Sequence, residues 1–141
     1  MRSSRVLAPA LLGLFLLPAA AGACTSSGNT GGAPDTARPT DLGDVVDLRG
    51  RTAVEVQVPD NSYTPKAVLV SPGTTVTFTN TGANLHNVTP NDASWFPAVE
   101  LKPAASGVVV APQTPATYRY YCTLHGSPSG GQRGAIVVDR P

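Results

Sequence analysis

From Arg51 onward, apolar residues recur at every second position in short runs, and turn-forming residues close each run. Thr52–Val58 reads Thr-Ala-Val-Glu-Val-Gln-Val, the period-two pattern of a strand with one buried face, and Pro59-Asp60-Asn61 ends it. Ala67–Val70 is a second β-rich run, closed by Ser71-Pro72-Gly73. Thr74–Asn80 alternates again, with Val76 and Phe78 on one face, and Asn80-Thr81-Gly82 is the next turn. Leu85–Thr89, Gly107–Ala111, Ala116–Tyr121 and Ala135–Asp139 are predicted as further strands. No segment carries a sustained helical period, and only Asp92–Lys102 leaves room for a short turn of helix. Short strands at this spacing predict an all-β sandwich or barrel, and about ninety residues suffice for its core.

The residues before this domain divide in two. Arg2 and Arg5 precede an apolar run from Val6 to Leu17, and small residues Ala19–Ala23 follow. This is the layout of an export signal over residues 1–23, and the apolar stretch is short for a membrane-spanning helix. Cys24 follows, with Thr25, Ser26 and Ser27 behind it, which resembles a bacterial lipobox whose cysteine is acylated. Ala21 stands where that motif usually has Leu, and Ala21-Gly22-Ala23 is also an ordinary signal-peptidase site. Two outcomes follow: a lipid-anchored protein, or a soluble secreted one whose Cys24 is free or disulfide-bonded. Residues 24–50 are rich in Gly, Pro, Ser and Thr and poor in large apolar residues, so they read as a flexible linker, with Val45 and Val46 at its soft boundary. The folded domain is assigned to residues 51–141. Without residues 1–23 the chain holds 10 − 2 = 8 Lys and Arg against 9 Asp and Glu, a formal charge of −1. No basic patch interleaved with aromatics is present, which argues against nucleic acid as a partner.

The chemistry-bearing residues are His86, Cys122 and His125. The chain has only 2 histidines, both in the β-rich half. Cys122 and His125 close a predicted strand with Thr123 and Leu124 between them, and His86 comes from an earlier strand. One thiolate and two imidazoles form the trigonal donor set of a blue-copper site. Such a set accommodates Cu(I) and Cu(II) alike, so little rearrangement accompanies electron transfer. Taken singly, each residue has a plainer reading as a packed core side chain.

The stretch from about Val54 to the end resembles the plastocyanin branch of the cupredoxins. The resemblance is carried by Asn61-Ser62-Tyr63-Thr64-Pro65 with Val68-Leu69-Val70 and Pro72-Gly73-Thr74-Thr75-Val76. It continues through Asn80, His86-Asn87-Val88 and Tyr118-Arg119-Tyr120-Tyr121-Cys122-Thr123-Leu124-His125, and ends in Gln132-Arg133-Gly134 and Ile136-Val137-Val138. It implies a Greek-key β-sandwich of about seven to eight strands. It also implies one type 1 copper ion held by His86, Cys122 and His125, with Asn87 bracing the ligand loop by hydrogen bonding. The edge of His125, among Leu124 and Pro128, would be the electron outlet, and Tyr121 matches a residue of a second electron route.

The family's axial ligand is usually Met, but the only methionine here is Met1, and Gln132 occupies the corresponding place. A glutamine amide oxygen can be an axial donor, and this harder ligand favours Cu(II). Gly126–Gly131 makes the preceding loop longer than the plastocyanin pattern, so a solvent-facing Gln132, with a three-coordinate site or a water, is the other reading.

The implied function is one-electron transfer by a monomeric, non-enzymatic carrier at the outer face of the cytoplasmic membrane or in the periplasm. Its partners would be a membrane oxidase, a reductase or a cytochrome. The alternative is extracytoplasmic copper handling, which usually brings additional Met or His. A multicopper oxidase would need further histidine clusters, and both histidines are already assigned.

Overall fold

The computed structural model describes residues 38–140. The export signal, Cys24 and most of the expected linker lie outside these residues. Nine strands follow a short 3-10 turn at Thr40–Leu42. They are β1 (Val45–Asp47), β2 (Ala53–Val58), β3 (Ala67–Val70), β4 (Thr75–Asn80), β5 (His86–Pro90), β6 (Val99–Leu101), β7 (Ser106–Val110), β8 (Ala116–Ser127) and β9 (Gly130–Val138). Among the described residues, no helix is long and apolar enough to cross a membrane.

The strands form a six-stranded sheet in the order β1-β3-β9-β8-β5-β6 and a three-stranded sheet in the order β2-β4-β7. β1 with β3, β3 with β9, and β2 with β4 are parallel, and the other pairs are antiparallel. Alternation decides which side chains meet between the sheets. In β2, Val54, Val56 and Val58 turn inward while Ala53, Glu55 and Gln57 stay exposed. Val76 and Phe78 of β4 and Val109 of β7 complete that inner face. Opposite them lie Val68, Val70, Val88, Tyr118, Tyr120, Ile136 and Val138. Tyr63, Phe78 and Tyr120 contact one another edge to face, with ring centroids 4.9 to 6.2 Å apart. That arrangement suits aromatic quadrupoles.

Two segments depart from the sequence expectation. Residues 40–47, expected within the linker, are part of the fold. β1 pairs with β3, and Leu42 packs on Ala67 and Ala135 with Val45 beside them. The reason lies in β3 and the end of β9, which are apolar at consecutive positions and therefore need cover on both faces. Asp41 pins this cover to the sheet through ion pairs with Arg119 and Arg133 at 3.0 and 2.9 Å. The Asp92–Lys102 segment holds a turn, closed by the Trp95 amide on the Asp92 carbonyl, and then the short strand β6 in place of a helix.

Candidate metal centre

Strand parity brings the first two donors together. The buried face of β5 carries His86, Val88 and Pro90, and that of β8 carries Ala116, Tyr118, Tyr120 and Cys122. β5 and β8 pair antiparallel at Thr89↔Tyr121 and Pro90↔Tyr120, so His86 and Cys122 arrive at one end of the core. Both are fully buried at 0% exposure. Cys122 is a free thiol.

His125 reaches the same point through an irregularity. β8 and β9 are in register at Tyr121↔Arg133 and again at Gly126↔Gly131, so residues 122–125 bulge out opposite the single residue Gln132. Beyond the bulge, Ser127 pairs with Gly130 and a tight hairpin closes. The extra loop length anticipated between His125 and Gln132 is thus folded into the hairpin. Gly131 allows this closure: its φ is +75°, and a Cβ there would stand 2.5 Å from the His125 carbonyl oxygen.

The Cys122 sulfur lies 3.4 Å from His125 Nδ1 and 3.9 Å from His86 Nδ1. The three donor atoms all fall within 4.8 Å of one another. An ion bonded at ~2.0 Å to nitrogen and ~2.3 Å to sulfur, ~120° apart, needs these atoms ~3.8 Å from each other. The spacing fits one small ion bound by all three. His125 is half-buried at the rim, while Thr123 and Leu124 are exposed.

Gln132 is 1% exposed and faces the cluster, so the solvent-facing reading is set aside. Its Nε2 donates to the Ser62 carbonyl at 2.8 Å, which fixes the amide orientation and turns Oε1 to His86 Nδ1 at 3.0 Å. On the far side of the ring, His86 Nε2 lies 3.1 Å from Asp60 Oδ1. The Asp60 carboxylate and the Gln132 amide oxygen both only accept, and the charged carboxylate is the stronger acceptor, so the proton of the neutral ring belongs on Nε2 and Nδ1 presents a lone pair. Gln132 Oε1, His86 Nδ1 and the Cys122 sulfur therefore converge with lone pairs facing one point once the thiol gives up its proton, an arrangement suited to a cation. The mixed sulfur and nitrogen donors match copper better than a hard ion.

Asn87 continues the ladder where the β5 and β8 backbones part. Its Oδ1 accepts from the Thr123 amide at 2.9 Å, and its Nδ2 donates to Thr123 Oγ1 at 2.7 Å. The Tyr63 hydroxyl donates to the Asn87 carbonyl at 2.5 Å. Tyr121 follows the opposite parity, half-buried on the outer face of β8 beside Arg133. Asn80, Ser62 and Asp60 were not recognised as site-forming from sequence. Asn80 Nδ2 donates to the carbonyls of Asn84 and Leu101 at 2.8 and 2.9 Å, shaping the turn that leads into His86. The His86 hydrogen bond, with those from the Asn84 and Ala83 amides, holds the Asp60 carboxyl below the usual carboxylate range. In sequence Asp60 reads only as a turn former, and Ser62 and Asn80 as parts of the stretches that carry the resemblance.

The two-sheet sandwich with a buried Cys-His-His cluster at one end of its core is the cupredoxin fold with the donor set of a type 1 copper centre. No protein-family model matches the chain. In sequence it is similar to plastocyanin, 37% identical to that of Prochlorothrix hollandica over 87 residues, a match covering 55% of this chain and 63% of that plastocyanin. In structure it resembles a variant of amicyanin in its reduced Cu(I) form, with 28% identity, a TM-score of 0.51, and coverage of 64% of this chain and 85% of the other. It also resembles the Cu-containing nitrite reductase of Thermus scotoductus, with 25% identity and a TM-score of 0.50, covering 63% of this chain but only 23% of that enzyme.

Proposed function

We propose that the domain holds one copper ion at His86, Cys122 and His125, with Gln132 Oε1 as a fourth donor, and carries single electrons between protein partners. The observation that carries this reading is the buried Cys122 sulfur with the Nδ1 atoms of His125 and His86 3.4 and 3.9 Å away. Copper bound there would supply a one-electron couple. The protein's own residues do the rest. His86 and Cys122 stand on paired strands inside the core, so they keep their places when the charge of the site changes. Asn87 ties residue 123 to β5 and limits movement of the ligand segment. Burial of His86, Cys122 and Gln132 keeps water away from that side. His125 is the donor nearest the surface, with exposed Leu124 and Leu85 at the same end. With copper bound, the His125 edge would be the path by which electrons enter from and leave to protein partners.

The plastocyanin similarity supports a carrier role over an enzymatic one, and the described residues contain one His/Cys cluster of this kind. Residues 1–23 and Cys24 support export and attachment to the outer face of the cytoplasmic membrane, where a monomeric carrier would meet a membrane oxidase, a reductase or a cytochrome. Mass spectrometry of the native protein checks acylation of Cys24.

The test of the copper assignment is the visible spectrum of the purified protein with Cu(II). An intense blue or green band, bleached by a reductant and missing in Cys122→Ser, is the expected outcome. A colourless protein that retains no copper would refute the reading. A coloured protein that surrenders its copper rapidly to a mild chelator would favour copper handling instead.

A further inference from the structure

We propose that Asp60 is a positioning residue of the metal centre: its carboxylate holds the His86 proton on Nε2, directs Nδ1 to the metal, and strengthens that nitrogen as a donor. The inference rests on the copper reading above. His86 is fully buried, and its two ring nitrogens face different groups. Nδ1 points to Gln132 Oε1 at 3.0 Å and the Cys122 sulfur at 3.9 Å, with the His125 ring centroid 4.6 Å from its own. Nε2 points to Asp60 Oδ1 at 3.1 Å. Gln132 cannot turn a donor toward Nδ1, because its Nε2 is spent on Ser62. With an acceptor on each side, the proton of the neutral ring goes to the stronger one, and the charge of the Asp60 carboxylate makes it the stronger.

Asp60 is itself held. Its Oδ1 also accepts from the Asn84 amide at 3.1 Å, and its Oδ2 accepts from the Ala83 amide at 3.3 Å. Gly82 lies so close that a Cβ there would collide with the carboxylate. The β2–β3 connection and the β4–β5 turn thus converge on one carboxylate behind the inner imidazole. A carboxylate hydrogen-bonded to a ligating imidazole makes the ring a better donor, and loss of such a partner typically costs 10- to 100-fold in metal affinity. A stronger nitrogen donor favours Cu(II) over Cu(I), so Asp60 lowers the reduction potential.

A plainer role, capping the turn at residues 82–84, predicts different behaviour. Asp60→Asn keeps an oxygen that can accept from both Asn84 and His86 but removes the charge, whereas Asp60→Ala removes both. In the copper-loaded full-length protein, Asp60→Ala should lower Cu(II) affinity about 10- to 100-fold, with Asp60→Asn intermediate. At constant Cu(I) affinity, each tenfold loss raises the potential by about 59 mV. In the metal-free protein, ¹⁵N NMR of the imidazoles should find the His86 proton on Nε2, and in Asp60→Ala a mixture of tautomers. If Asp60→Ala does not fold, Asp60→Asn decides by affinity and potential. Variants within twofold of the wild type in Cu(II) affinity, with unchanged potential and His86 tautomer, would overturn the assignment while leaving the copper reading intact. A wild-type protein with no thiolate–copper band would overturn both.

Discussion

At the residue scale, the proposed site turns on Gln132, buried with its amide oxygen 3.0 Å from His86 Nδ1. Its amide is clamped by Ser62, which sets the direction of the oxygen that meets His86. An oxygen donor favours Cu(II), whereas a thioether favours Cu(I). Gln132→Met should therefore raise the reduction potential. A tenfold to hundredfold change in the preference for Cu(I) corresponds to roughly 60–120 mV, which protein-film voltammetry would resolve. An unchanged potential would mean that Gln132 does not touch the metal. Asn87 acts differently, through Thr123. Asn87→Ala should leave the band colour nearly unchanged but accelerate copper loss to a chelator, because the ligand segment loses its tie to β5. Equal release rates would remove that role.

The β8–β9 hairpin and the N-terminal cover are the elements with most to test. Gly131→Ala combines a left-handed backbone, costing about 1–2 kcal/mol, with a clash against the His125 carbonyl. The expected result is a shifted or weakened thiolate band together with lower stability, read by absorption and thermal melting. The cover depends on Asp41, whose carboxyl is held below its ordinary range chiefly by the Arg119 hydrogen bond. A carboxylate depressed in the folded state contributes stability above its unfolded pKa and loses it as pH falls through the folded value. Acidification below the ordinary carboxylate range should thus loosen residues 40–47 first. Hydrogen exchange at the β1 amides should rise with acidification and in Asp41→Asn at neutral pH, while the β8–β9 amides stay protected. Uniform loss across the sheet would argue against a separable cover.

For the molecule as a whole, the ligands sit at one end of a core of apolar and aromatic side chains packed between the two sheets. Phe78, at 0% exposure, is one of the three rings of the aromatic cluster. Phe78→Ala should cost about 3–5 kcal/mol, seen as a lower denaturation midpoint in both the metal-free and the loaded protein. Copper binding the native state alone should add stability on top, about 2.7 kcal/mol at a free concentration of 100 Kd. The metal-free protein should still unfold cooperatively, since His86 and Cys122 are placed by strand pairing. A metal-free protein without a cooperative transition would contradict that independence.

What the sequence determined by itself was the architecture and the three strong donors. Period-two alternation in Ala53–Val58 and Thr75–Asn80 specifies one-sided strands, because neighbouring side chains on a strand must point to opposite faces. The Cys122–His125 spacing with His86 specified a mixed thiolate–imidazole set, because donor chemistry is local to the residue. Other features were decided only in three dimensions. The fully apolar β3 could have signalled a covered outer face, yet nothing local indicates that residues 40–47 supply the cover. Strand β6 is only three residues long and borrows its order from β5. Asp60 reads as a turn residue, and only the approach of the β4–β5 turn to β2 sets it against His86. The side on which Gln132 falls was likewise open, because it depends on how the hairpin absorbs residues 126–131. A sequence carries strand periodicity and donor identity in its neighbours; the partners of a polar side chain come from distant chain segments, and only packing brings those together.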